Sequence, residues 1–251
     1  MVLRKVLLCV LFGGLLAAGS AWAGPTSDMT IRLLGREPGS GPGGVYLFEV
    51  VSSRVPGFSA GDQFESFCLE RAEWVHITNP PQTYEAVINT KAVGGGVGAL
   101  GDPIDPKTAY LYSQYRSGAL EGWTGDAASA DALQYVIWEL EGESTVGVSL
   151  TEGAQAKVPG FRAVAQGSPW TDIGDVRALN LSLSLPAVYG SNGFITGLTG
   201  VYGACGPLPF GCGGAQDQLI LLPHIPAPPA VLLGLIGLGL VAQSNVRRFL
   251  R

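Results

Sequence analysis

Between Ser27 and Pro223 the chain breaks into short apolar runs separated by glycine and proline. MTIRLL, VYLFEVV, QFESFCLE, EWVHIT and TYEAVI alternate or run apolar between turn signals, which predicts strands. ALNLSLSL places Leu179, Leu181, Leu183 and Leu185 on one face and Asn180, Ser182 and Ser184 on the other, the pattern of a half-buried strand. QLILL, around Leu219, reads as a closing strand. Two helices interrupt this pattern. IDPKTAYLYSQY begins with Asp105 as N-cap and Pro106 at the first helical position, and carries a stripe at Tyr112 and Tyr115. ASADALQYVIWELEGE is assigned Ser129 as N-cap, a buried stripe of Leu133, Val136, Ile137 and Leu140, and Gly142 near its end. From Ser144 to Asp175, Pro159, Gly160 and Pro169 divide the apolar residues into short pieces, and the segment reads as irregular. The expected fold is α+β: a β-rich sandwich or barrel-like body with a small helical insertion over about residues 105–142.

The two ends differ from this body. Residues 1–23 carry Arg4 and Lys5, an apolar run from Val6 to Ala18, and Ala21, Trp22, Ala23 before Gly24. That is the layout of a secretory signal peptide, with an apolar run shorter than the ~20 residues of a spanning helix. At the other end, residues 226–251 hold Pro226, Pro228 and Pro229, an apolar run from Ala230 to Ala242, then Arg247, Arg248 and Arg251. The terminal arginines would stay cytoplasmic and leave the body outside, with the apolar run as a short transmembrane helix. Residues 24–225 then form one exported domain. The chain's net charge of -5 understates the acidity of that domain, because five basic residues lie in the two ends. An acidic body repels nucleic acid.

Export also makes the cysteines informative. Cys9 lies in the signal segment, leaving Cys68, Cys205 and Cys212 in an oxidising compartment. Cys205 and Cys212 bracket CGPLPFGC, whose glycines and prolines force a tight reversal, and form the candidate disulfide. No cofactor or metal is expected, since His76 and His224 show no ligand spacing. Cys68 is left without a partner. Alternation puts it on the face opposite Phe67 and Leu69, together with Phe64 and Ser66. Gln134, at the edge of the apolar stripe of the second helix, needs a hydrogen-bond partner if buried.

Other candidate chemistry is weaker. KAVGGGVGALGDP lacks the lysine and hydroxyl ending of a phosphate-binding loop. Glu139, Glu141 and Glu143 read as a solvated helix end rather than a glycosidase acid pair. No GxSxG accompanies His76. Trp74, Trp123, Trp138 and Trp170 read as packing residues before sugar platforms.

Two resemblances follow from these residues. The tail, with its prolines, apolar helix and basic end, resembles the PEP-CTERM sorting signals of exported proteins from bacteria that make exopolysaccharide. The usual Pro-Glu-Pro is here Pro226, Ala227, Pro228. The resemblance implies a membrane-embedded exosortase as processing partner, cleavage near the prolines, and release or attachment at the cell surface. The body resembles the thioester domains of Gram-positive surface adhesins, in which an aromatic-Cys-apolar strand motif precedes a Gln-x-x-apolar-Trp motif. Here these are Phe67, Cys68, Leu69 and Gln134 to Trp138, with Leu133 where that family commonly has threonine. This implies that Cys68 and Gln134 form an internal thioester that a partner's amine opens, leaving a covalent adduct without turnover. The expected function is a non-enzymatic surface or biofilm-matrix protein attaching in this way. The alternatives are a passive structural or binding component of the matrix and, last, an envelope polysaccharide hydrolase.

Overall fold

The computed structural model describes residues 27–39, 43–73, 75, 77–93, 101–183 and 214–224. The elements run β1 (Met29–Arg36), β2 (Tyr46–Ser53), β3 (Gln63–Ser66), β4 (Thr83–Asn89), β5 (Lys91–Ala92), β6 (Asp102–Pro103), α1 (Pro106–Arg116), α2 (Ala127–Leu140), α3 (Glu152–Gln166), β7 (Val176–Leu183) and β8 (Gly214–Leu221). The fold is α+β, with six strands in one antiparallel sheet of order β3-β2-β1-β4-β7-β8.

The two edges of that sheet meet. Beyond β3 the chain continues along β8, with Cys68 opposite Gln218. Leu69 N donates to Asp217 O and Leu219 N to Phe67 O, both at 2.9 Å. The Ser66 hydroxyl adds a bond to Leu219 O at 2.6 Å. This nearly closes the sheet into a barrel, so of the two architectures the sequence admits, the barrel-like one forms. Closure satisfies edge N–H and C=O groups that a sandwich would leave to solvent.

Alternation along the strands separates two cores. Met29, Ile31, Leu33, Phe48, Val50, Phe64, Cys68, Tyr84, Leu179 and Leu181 fill one, enclosed by the sheet. Phe67, Leu69, Val176, Ala178 and Leu219 point the other way, to a second core shared with Leu111, Tyr112, Leu133, Val136, Ile137 and Phe161 of the helices. The helical layer therefore covers the seam where the barrel closes. Phe67 anchors it edge-on to Tyr115, with ring centroids 5.1 Å apart.

Helix α1 starts as expected, Asp105 accepting from Lys107 N with Pro106 at the first position. Three other expectations are corrected. The N-cap of α2 is Asp126, whose carboxylate accepts from Ser129 N, so Ser129 becomes the third helical residue of a capping box. The segment read as irregular contains α3, capped by Thr151, and the helical insertion therefore extends to Gln166 rather than 142. Pro159 inside α3 costs about 3 kcal/mol. Ala154, Val158, Phe161 and Ala165 form one buried stripe, and burying Val158 and Phe161 contributes about 1.5–3 kcal/mol each, enough to offset the proline. Finally, EWVHIT forms no strand among its described residues: 73, 75, 77 and 78 follow an irregular path.

The signal segment 1–23, Leu185, the Cys205 and Cys212 pair, and the tail with Pro226, Ala227, Pro228, Arg247 and Arg248 lie outside the described residues. Among the described residues no helix is long and apolar enough to cross a membrane.

Candidate functional site

The seam of the barrel is where the two singled-out residues meet. The hydrogen bonds flanking Cys68 come from residues 67 and 69, so Cys68 and Gln218 form a non-hydrogen-bonded antiparallel pair. In such a pair the N–H and C=O of each residue point away from the other strand. The main-chain groups of Cys68 are thus directed off β8, in a place where solvent does not reach: Cys68 is 1% exposed.

Gln134 of α2 satisfies both. Its Oε1 accepts from Cys68 N at 2.9 Å, and its Nε2 donates to Cys68 O at 2.8 Å. One carboxamide takes the place of a neighbouring strand's peptide group. Gln134 is itself fully buried, at 0% exposure. The fit is close on the far side too, where Gly43 lies so near that a Cβ there would come within 2.1 Å of Gln134 Cγ. Glycine is needed at 43 because the glutamine occupies the space a side chain would take.

The sulfur faces the barrel core. Gln218 Nε2 donates to Cys68 Sγ at 3.3 Å, and the Tyr46 hydroxyl bonds it from β2. Burial pushes the thiol up to about 12, against the opposing effects of the Gln218 and Tyr46 hydrogen bonds and the Arg36 charge. Burial likewise raises the Tyr46 phenol. Cys68 forms no disulfide among the described residues and sits in a buried, largely apolar setting.

A cleft of about 340 Å³ opens beside this pair. It shares Tyr46 with the sulfur's surroundings and Trp138, one turn along α2, with those of Gln134; Arg71, Glu73, Glu143 and Gln216 supply polar lining. The Trp138 indole N–H is buried there without a hydrogen-bond partner.

The expected faces hold: Cys68 and Phe64 lie in one core, Phe67 and Leu69 in the other. Sequence reasoning missed Gly43, Tyr46 and Gln218. Gly43 belongs to a glycine pair, a signal of close approach that names no partner. Gln218 is legible only as a polar residue inside the apolar closing strand. The three helix-end glutamates do not converge. Glu139 pairs with Arg162, Glu141 accepts from Asp105 N at 3.2 Å, and Glu143 accepts from Arg71 N at 3.2 Å. The tryptophans pack: Trp138 is buried, Trp123 lies edge-on to Tyr115 at 4.7 Å, and Trp170 edge-on to Tyr110 at 5.6 Å. Trp74 and His76 lie outside the described residues.

Comparison with protein-family models, with curated proteins and with solved structures returned no match.

Proposed function

We propose that this protein is an exported surface or matrix component that attaches covalently to a partner through a Cys68–Gln134 thioester. The observation that carries the reading is the double hydrogen bond holding the buried Gln134 carboxamide on the main chain of Cys68. Both residues are buried, and the pairing holds the carboxamide against the residue that carries the thiol, which supports the reading because such proximity lowers the entropic cost of reaction.

The chemistry follows from the contacts. Cys68 Sγ adds to the Gln134 carboxamide carbon, and negative charge develops on Oε1. The Cys68 N–H already bonds that oxygen at 2.9 Å and serves as its oxyanion donor. The carbon–nitrogen bond then breaks, the thiol proton leaves with the amide nitrogen as ammonia, and the thioester remains. A primary amine later attacks the same carbon. The carbon–sulfur bond breaks, an amide forms, and an amine proton returns to the sulfur. Each molecule reacts once, so this is not an enzyme in the sense of turnover. Burial protects the thioester from hydrolysis, and the cleft between Tyr46 and Trp138 offers the amine a way in.

The sorting-signal character of the tail supports placement at the cell surface or outside it, with the precursor held in the membrane by its apolar C-terminal segment and processed by an exosortase-type enzyme. The partner would be a surface or matrix protein amine.

A second reading is favoured by the Cys68 thiol being held up near 12, which keeps it protonated. In that reading Gln134 is a structural clip that closes the barrel, and the protein is a passive component of an exopolysaccharide matrix. Intact mass separates the two. The thioester predicts a mass short of the sequence by one ammonia, restored to the full value in Cys68→Ala and shifted by methylamine. Full mass with a Cys68 that alkylates freely after denaturation refutes it.

A further inference from the structure

Next to the seam, and outside the chemistry just described, three carboxylates converge. Glu70 and Glu73 lie on the irregular chain after β3, and Asp217 lies on β8. One carboxylate oxygen from each falls within 4.8 Å of the others. Acidic side chains gather without a ligand on many surfaces, but this group is largely enclosed. Glu70 and Asp217 are each 2% exposed.

The feature that needs explanation is Glu70. Both its carboxylate oxygens are buried and meet no N–H or hydroxyl donor among the described residues; what they face is the carboxyl of Glu73. Glu73 Oε2 is likewise buried without a donor. A buried carboxylate with no donor is costly unless something neutralises it. The cation nearest in sequence does not: the Arg71 guanidinium is turned to Ser144 O at 2.6 Å. Asp217, by contrast, already has a donor, its Oδ2 accepting from Val93 N at 2.6 Å. Glu70, with Glu73 beside it, thus calls for positive charge, as protons or as a metal ion.

The spacing admits a metal ion. Two oxygens on opposite sides of a calcium ion, each about 2.4 Å from it, are about 4.8 Å apart, so all three carboxylates fit one coordination sphere. Magnesium, at about 2.1 Å, demands a tighter and more regular set. Hard oxygen ligands without sulfur or imidazole suit calcium rather than zinc. Glu73 also lines the cleft, which gives an ion a path from solvent and gives water room to complete its shell.

We propose that Glu70, Glu73 and Asp217 form a calcium site that ties the chain after β3 to β8. The bound ion braces the barrel closure beside the Gln134 clip, two residues from Cys68 along one segment and one residue from Gln218 along the other. The proposal does not depend on thioester formation.

Terbium, a luminescent calcium substitute, tests it on the full chain purified in detergent and stripped with chelator. Excitation of tryptophan should give sensitised terbium emission, since Trp138 lines the same cleft. Calcium should displace the terbium at lower concentration than magnesium. Glu73→Gln, at the half-buried position and so the least disruptive to folding, should weaken binding about tenfold or more while leaving the circular dichroism spectrum unchanged. Calcium should also raise the melting temperature of the wild type and not of Asp217→Asn. Absence of terbium binding by the wild type, or unchanged affinity in folded Glu73→Gln, overturns the site and leaves proton sharing among the three carboxylates as the account of Glu70.

Discussion

Replacing Gln134 by leucine, in a background where Cys68 is already alanine, isolates the clip from any covalent chemistry. Alanine at 68 keeps the main-chain N–H and C=O that Gln134 bonds at 2.9 and 2.8 Å, and no cross-link can form. Leucine at 134 keeps most of the volume, so the cavity contribution is small. What it removes is the partner of the Cys68 main chain, among the described residues, on the side away from β8. Two main-chain polar groups are then left unsatisfied in a fully buried place, at about 1–3 kcal/mol each, or about 2–6 kcal/mol together. Urea unfolding of the Cys68→Ala and Cys68→Ala, Gln134→Leu proteins, followed by tryptophan fluorescence, measures the difference directly. A loss below about 1 kcal/mol would mean that water or a shifted strand satisfies Cys68, and the account of the seam would fail.

Two further perturbations probe the same structure from other sides. Gly43→Ala pushes a Cβ into Gln134 Cγ and should cost about 1–3 kcal/mol while lowering the ammonia-deficient fraction in the intact mass; an unchanged fraction would detach Gly43 from the site. Glu141, which burial raises to about 8 against an ordinary value of 4.5, is protonated in the folded chain over a range where the unfolded chain has lost the proton. Stability from this group is therefore greatest below about 4.5, falls as pH rises towards 8, and is flat above it. Glu141→Gln should flatten that fall by about 1–3 kcal/mol between pH 5 and pH 8.5, after discounting for partial exposure, and an identical slope in wild type and variant would refute the assignment.

Much of this arrangement is legible in the residues because it depends on local periodicity. Alternation in QFESFCLE is enough to put Cys68 and Phe67 on opposite faces, and the stripe in ALQYVIWEL to turn α2 inward, since side-chain direction follows from backbone geometry alone. The N-cap at Asp105 and the proline after it mark the start of α1 for the same reason. The misreadings lie where local signals compete with packing. Pro159 argues against α3 until the burial of Val158 and Phe161 is weighed against it, and EWVHIT alternates like a strand yet its described residues form none, the barrel closing through residues 67–69 instead.

The residues by themselves marked Cys68 as a cysteine without an evident partner and Gln134 as an amide at the edge of an apolar stripe. Only the tertiary structure decided that they meet, and how. The meeting is a consequence of sheet closure: the pairing of residue 68 with residue 218 lies 150 positions away along the chain and is chosen by the free energy of removing two sheet edges from water. That same closure turned the main chain of Cys68 away from β8, where Gln134 meets it, and brought Glu70, Glu73 and Asp217 together. Long-range contacts of this kind leave no periodic trace in sequence, because nothing in the local backbone depends on them.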